Sequence, residues 1–321
     1  MSRKLITIST IMTLMSTSVI ADVPNVAADI APIHSLVSRV MDGVGAPKLI
    51  VQSGASPHGY RLRPSEAKAL QDADHVFWMG EELTPWLDSA IDTLATKASV
   101  TTLLDQEGII LHDFREGALF EAHDHSAHGD DDHDDHKDHD DHDDHDDHDD
   151  HGSHDPHAWL SPENAKLWLN IIASKLSVSD PENAATYFMN AAAGQAEIEA
   201  MIAEVKATLK PVQGGKFVVF HDAYQYFEND FDFYASGAIS LGDSSDPSPA
   251  RIEKVQKRIR DEDIQCVLAE PQFKKGLVAT VMEGSDATAS VIDPLGTELE
   301  AGPKLYTQLI KNMAKTLRNC L

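Results

Sequence analysis

A helical pattern about 30 residues long parts this chain into two stretches of similar texture, and that arrangement limits the fold more than any single motif. It opens at Ser179-Asp180-Pro181-Glu182 with a cap candidate, a first-turn proline and an acid. Apolar residues follow at Ala184, Phe188, Ala191, Ile198, Ile202, Val205 and Leu209, spaced by three, four or seven, and Pro211 with Gly214-Gly215 ends the run. At 1.5 Å per residue such a helix reaches roughly 45 Å, enough to cross two small domains. Two shorter helices broken at Gly194 are the alternative, since an interior glycine costs only about 1 kcal/mol.

On both sides of this spine, short apolar runs alternate with helical patterns, the signature of parallel strands joined by crossover helices, so the class is α/β. In the first stretch the expected strands are Pro24 to Ala28, Lys48 to Gln52, His75 to Met79 and Val100 to Leu103. Helices are expected at Ile33 to Met41, Ser65 to Gln71 with Ser65 as cap, and Pro85 to Thr96. In the second, strands are expected at Lys216 to Phe220, Phe231 to Ser236, Gln265 to Ala269 and Ala289 to Ile292, with helices at Pro249 to Asp261 and Gly302 to Asn319. The expected architecture is two lobes, 22-178 and 211-321, each a mostly parallel sheet flanked by helices and joined by the spine at 179-210.

Residues 1-21 stand apart from the fold. Arg3 and Lys4, an apolar run from Leu5 to Ile20 and the small residues before Asp22 make a secretory signal, too short to span a bilayer comfortably. Export implies an oxidising compartment. The chain's two cysteines, Cys266 and Cys320, then favour a disulfide tying the terminal helix to a strand, with two buried free thiols as the alternative.

The charge balance excludes one class of partner. With 53 acidic residues against 26 basic ones and a net charge of -27, a phosphate backbone is repelled, so no nucleic acid is expected. Much of that charge lies in 121-155, where seventeen acidic residues face the single Lys137 and eleven of the chain's 17 histidines occur. His133, His136, His139, His142, His145, His148 and His151 recur every third residue, separated by Asp-Asp except at Lys137-Asp138. Lacking apolar residues, the segment cannot repay the entropy of ordering and is expected to be a disordered insert in the first lobe. Imidazoles suit zinc, nickel or copper, so almost any three or four neighbours could wrap a divalent cation.

Six histidines remain outside the insert. His58 lies in a turn after a strand, His157 just before a helix, and His221 directly after the strand ending at Phe220. Asp293 has the same placement at the end of a late strand. Carboxyl ends of strands in open α/β sheets face the crevice where ligands bind. Three histidines and a carboxylate make a plausible tetrahedral zinc set. His34 and His75 read as packed or hydrogen-bonded within the first lobe, and His112 as the margin of the insert.

Taken together, Gly54-Ala55-Ser56-Pro57-His58-Gly59-Tyr60 with Arg63-Pro64-Ser65, Asp155-Pro156-His157-Ala158-Trp159-Leu160, Phe220-His221-Asp222-Ala223-Tyr224, Ala269-Glu270-Pro271-Gln272-Phe273 and Asp293-Pro294-Leu295-Gly296 resemble the cluster A-I metal-binding proteins of bacterial ABC importers, in particular their zinc branch. The resemblance implies a periplasmic binding protein that holds Zn2+ between two α/β lobes and delivers it to a membrane permease. It implies His58 and His157 as ligands from the first lobe, and His221 and Asp293 from the second. Histidine at the third position, the acidic histidine-rich insert and a Cys266-Cys320 disulfide are all features of the zinc branch. Some relatives carry a ligand glutamate immediately before the first histidine, where this chain has Pro57, so Asp293, a water or an insert histidine is left for the fourth position, with Glu270 an outsider. A monomer is expected, with the insert as an accessory zinc-gathering segment. Enzyme activity is not expected: an exported zinc hydrolase needs a general base beside metal-bound water, and no HExxH occurs. A histidine-rich metal buffer and a surface adhesin compete with the importer reading.

Overall fold

The computed structural model describes residues 23-115, 120, 154-240, 242, 247-273 and 275-321, so the leader expected at 1-21 and the histidines from His133 to His151 lie outside the described residues. The first half contains β1 (Val26–Ala28), α1 (Ala31–Val40), β2 (Lys48–Leu49), α2 (Pro64–Asp72), β3 (His75–Trp78), α3 (Pro85–Leu94) and β4 (Ser99–Thr102), followed by α4 (Pro162–Ser179) and α5 (Ala184–Leu209). The second half contains β5 (Phe217–His221), α6 (Gln225–Phe231), β6 (Ala238–Ser240), α7 (Pro249–Asp261), β7 (Cys266–Ala269), α8 (Lys275–Val281), β8 (Thr288–Val291) and α9 (Leu305–Cys320). The strands form two parallel sheets of one topology, β2-β1-β3-β4 and β6-β5-β7-β8.

Central strands are predominantly apolar because both faces are covered. All residues of β3 and β5 are buried. One face of the first sheet packs Ile50, Val76 and Trp78 against Leu70, Leu87 and Ile91 of α2 and α3. One face of the second packs Val218, Phe220 and Val267 against Val255 and Ile259 of α7 and Val278 of α8. The inward faces share one continuous core, in which α1, α4, α5 and α9 meet between the sheets.

The spine is unbroken through Gly194. A Cβ there would come within 2.9 Å of Leu169 on α4 and 3.1 Å of Arg39 on α1, so the glycine permits close packing rather than breaking the helix. Its start differs from expectation. Ser179 still belongs to α4, and Asp180 forms the joint: its buried carboxylate accepts from the Asn183 amide at 2.8 Å and the Tyr187 hydroxyl at 2.7 Å. The cap signals at Ser179-Asp180-Pro181 therefore mark a tight turn between two helices.

The expected strand at Phe231 to Ser236 is corrected by α6 and β6. Phe227 and Phe231 are spaced by four, pack ring to ring at 4.7 Å and bury one helical face. Asp232, left-handed at φ 51°, ends that helix and delays the strand to Ala238. Nor does Ser65 cap α2: Pro64 begins the helix, and the Arg63 backbone N–H donates to Glu66 at 2.7 Å. Cys266 on β7 and Cys320 at the end of α9 form a disulfide, their Cα atoms 5.6 Å apart. No described helix is long and apolar enough to cross a membrane.

Candidate metal centre

Both sheets have a topological switch point, where connections leave the central strand in opposite directions, and a crevice opens there at the carboxyl ends. In the second sheet this point lies between β5 and β7. His221 is the last residue of β5, and Glu270 stands one residue beyond β7. The Glu270 Oε1 accepts from His221 Nδ1 at 2.6 Å, while its other oxygen accepts from the Gln272 amide at 2.9 Å. Phe273 closes the side of the His221 ring at 5.5 Å between centroids.

His157 arrives from the first half in the same manner. Asp155 turns back on it, Oδ1 accepting from the His157 backbone N–H at 2.9 Å and from Nδ1 at 2.6 Å. A helical turn at Ala158–Leu160 follows, and Ser161 caps α4 by accepting from the Asn164 N–H at 3.2 Å. Trp159 packs on the His157 ring at 5.2 Å and donates to the Pro294 carbonyl at 2.8 Å, so the turn is tied to the second half.

His58 sits in the turn after β2, which needs the left-handed Gly54 at φ +84°. Its backbone N–H donates to Ser56 Oγ at 3.2 Å, and Trp86 donates to the Pro57 carbonyl at 2.7 Å. The three rings then converge. His58 and His157 lie 5.4 Å apart between centroids, His157 and His221 5.2 Å, and one ring nitrogen from each falls within 4.8 Å of the others. His157 and His221 are almost fully buried and His58 half-buried.

The chemistry of the donor set fits a metal ion. A carboxylate only accepts, so Asp155 and Glu270 fix the proton on each Nδ1 and leave both Nε2 atoms, 3.4 Å apart, with lone pairs toward the same point. This carboxylate–imidazole pairing is the orientation that metal-binding histidines require, and it raises ligand basicity. Asp293 does not join the group. Its oxygens accept from the backbone of Leu295, Gly296 and Thr297 and from the Thr297 hydroxyl, at 2.6 to 3.0 Å. Glu270, an outsider as a ligand, works from behind His221.

The other histidines are otherwise engaged. His34 pairs with the Pro47 carbonyl at 3.2 Å, and burial pushes its pKa down. His75 pairs with the Ser179 hydroxyl at 2.7 Å and stacks on Phe77. His112 packs against Tyr226 at 4.7 Å at the root of the insert.

Two features escaped sequence reasoning. The first is the docking of the insert's stems. Asp113 and His154 form an antiparallel bridge, and the Tyr226 hydroxyl donates to the Asp155 carbonyl at 2.6 Å while accepting from the His112 N–H at 3.1 Å. The second is Arg115, whose guanidinium reaches both Asp222 and Glu228 of the second half. Burial raises the Glu228 carboxyl to about 7 and raises Asp222 as well, in each case outweighing the opposing pull of Arg115. No signal beyond a lone arginine beside the insert marks either contact.

Comparison with known proteins gives a family for this chain. The family described as zinc-uptake complex component A, periplasmic, matches residues 26–320. Proteins named high-affinity zinc uptake system protein ZnuA are similar over most of the chain. The Brucella abortus (strain 2308) protein is 48% identical over 304 residues, covering 92% of this chain and 91% of the relative. The Paracoccus denitrificans (strain Pd 1222) protein is 43% identical over 302 residues, covering 94% and 93%. Among solved structures, one described as the crystal structure of ZnuA shares the fold with a TM-score of 0.73 at 20% identity, covering 93% of this chain and 99% of the other.

Proposed function

The chain belongs to the periplasmic zinc-uptake component A family, and from that membership and the convergence of three imidazoles we infer that it captures Zn2+ between its two halves and hands it to an ABC-type importer. The observation that carries this reading is the pair of carboxylate-backed histidines, His157 and His221, which come from opposite halves and present Nε2 atoms to one point. Zinc accepts four ligands in tetrahedral geometry, and three imidazoles supply three of them. The fourth position falls to water, to a histidine of the segment 121-155, or to Asp293, whose carboxylate would exchange one of its accepted bonds for the ion. Chemistry on a substrate is not part of the proposal: both carboxylates nearest the histidines are engaged by Nδ1 atoms and are poorly placed to act as a general base.

The proposed organisation is a leader at 1-21 removed on export, a first lobe at 22-178, a linking segment at 179-210 and a second lobe at 211-321, working as a monomer. The histidine- and aspartate-rich segment within 121-155 serves as a weaker accessory collector that raises zinc concentration near the cleft, an assignment supported by its charge and histidine density.

A chelator-competition zinc titration of the exported protein lacking residues 121 to 152 separates the two. One tight site remaining supports capture at His58, His157 and His221. Loss of all tight binding would mean either that the histidine-rich segment supplies an essential ligand or that the protein is a histidine-rich metal buffer, and the three-histidine assignment would fall.

A further inference from the structure

The contacts that hold the two halves together beside the histidines are of two kinds. Most are neutral and spread along the core. Trp159 donates to the Pro294 carbonyl, the Tyr306 hydroxyl donates to the Trp159 carbonyl at 2.9 Å, and Ser35 donates to the Gly302 carbonyl at 2.7 Å. Among the described residues, an ionic contact also lies at the cleft itself. Arg115, from the stem of the insert, donates through Nε to both oxygens of Asp222 at 3.0 Å each, through Nη1 to Glu228 at 2.6 Å and through Nη2 to both partners.

Two facts make this ion pair more than a surface tie. Both carboxylates are buried, with side-chain exposures of 7% for Asp222 and 1% for Glu228, so any parting of the halves that withdraws Arg115 leaves two buried carboxyl groups without the donor that satisfies them. Asp222 is also covalently next to His221, the last residue of β5, so a guanidinium gripping Asp222 grips the peptide that aims that imidazole. The Phe120 ring lies 3.6 Å from the Arg115 Cζ and covers the guanidinium.

We propose that Arg115 is a clasp across the cleft, a positioning residue that keeps His221 facing His157 and thereby sets how slowly zinc leaves. This rests on the zinc-capture reading above. Arg115 does not touch the ion. Its action falls on release because a buried, hydrogen-bonded charge pair governs dissociation, whereas encounter with the ion depends on the open cleft and the overall charge. A forked guanidinium bridging two carboxylates is not reproduced by an ammonium point charge, so lysine replaces it only in part.

The test is stopped-flow release of zinc from the purified, zinc-loaded full exported chain into excess chelator, with association measured separately. In Arg115→Gln, release accelerates roughly tenfold or more while association changes less than about threefold, and Arg115→Lys falls between. Wild-type release from Arg115→Gln overturns the clasp. So does a lowered melting temperature of the zinc-free protein with release unchanged, which is what an ion pair serving stability alone would give. If Arg115→Gln does not fold by circular dichroism, Glu228→Gln is read in the same way: faster release supports the clasp and wild-type release overturns it. Failure of the clasp with tight binding intact leaves the zinc-capture reading standing, whereas an unaltered chain without tight zinc binding removes both.

Discussion

The two sheets share a strand order, yet the corner at the end of each central strand is used differently. Beyond β1 stands Asp29, fully buried, with its carboxylate turned inward to accept from the backbone N–H groups of Met79 and Ile30 at 2.7 Å each. At the end of β5 stands His221, turned outward and held from behind by Glu270 at 2.6 Å. In both, the partner comes from one residue past the neighbouring strand: Met79 after β3, Glu270 after β7. Topology thus supplies two crevices. Side-chain chemistry makes one a structural clip and the other a metal-facing corner. Asp29 uses its acceptors on the backbone and has nothing left to present, whereas an imidazole has two nitrogens on opposite sides and can be fixed by one while offering the other.

That contrast breaks most visibly at the histidine. His221→Ala should weaken zinc binding by upwards of roughly a hundredfold in a chelator-competition titration, since it removes a ligand rather than the partner that orients one. Zinc affinity equal to the unaltered chain would reduce the second corner to another clip. Replacing its support is expected to cost less: Glu270→Gln, and Asp155→Asn on the opposite histidine, should each weaken binding about tenfold. If either leaves affinity unchanged, the carboxylate behind that imidazole serves folding alone.

The first corner should answer in stability instead. Asp29→Asn loses one acceptor for two buried N–H groups and should cost about 1–3 kcal/mol in denaturant unfolding, with zinc affinity unmoved. A parallel fall in affinity would mean that the two corners are coupled. The smallest effect concerns pH. Burial raises the Asp29 carboxyl from 3.8 to about 7, so between those values the unfolded chain gives up a proton that the folded chain keeps. Asp29 therefore contributes a decline in stability as pH rises through that window and no further slope above it. In Asp29→Asn the zinc-free protein should lose this part of the slope, and an unchanged slope would show that Asp29 ionises near its ordinary value.

Periodicity and turn chemistry carried much of the fold. The runs at Val26, His75, Phe217 and Cys266 are short, apolar and bounded by breakers, and the strands fall there because burial on both faces admits little else. Aromatic residues gave the ambiguous signal. Phe231 and Phe233 fit a strand as well as a helix face, and only the partner Phe227 four residues earlier resolves the choice. For the site, the three converging histidines were legible because each follows a strand or precedes a helix next to a turn. What holds them was not. His221 and Glu270 are 49 residues apart, Arg115 and Asp222 107, and no local pattern encodes a contact that the parallel register and the approach of two halves create.

One hydroxyl carries a further consequence. Tyr226 binds His112 on one stem of the insert and Asp155 on the other, beside the Asp113–His154 bridge. The two stems therefore meet at a fixed seam two residues before His157, whatever lies between them. Since Tyr226 lies on α6, the approach to His157 is set from the second half and not by the stretch of sequence between the stems. One helix of the second half thereby fixes where a buried histidine of the first half meets its counterpart on β5.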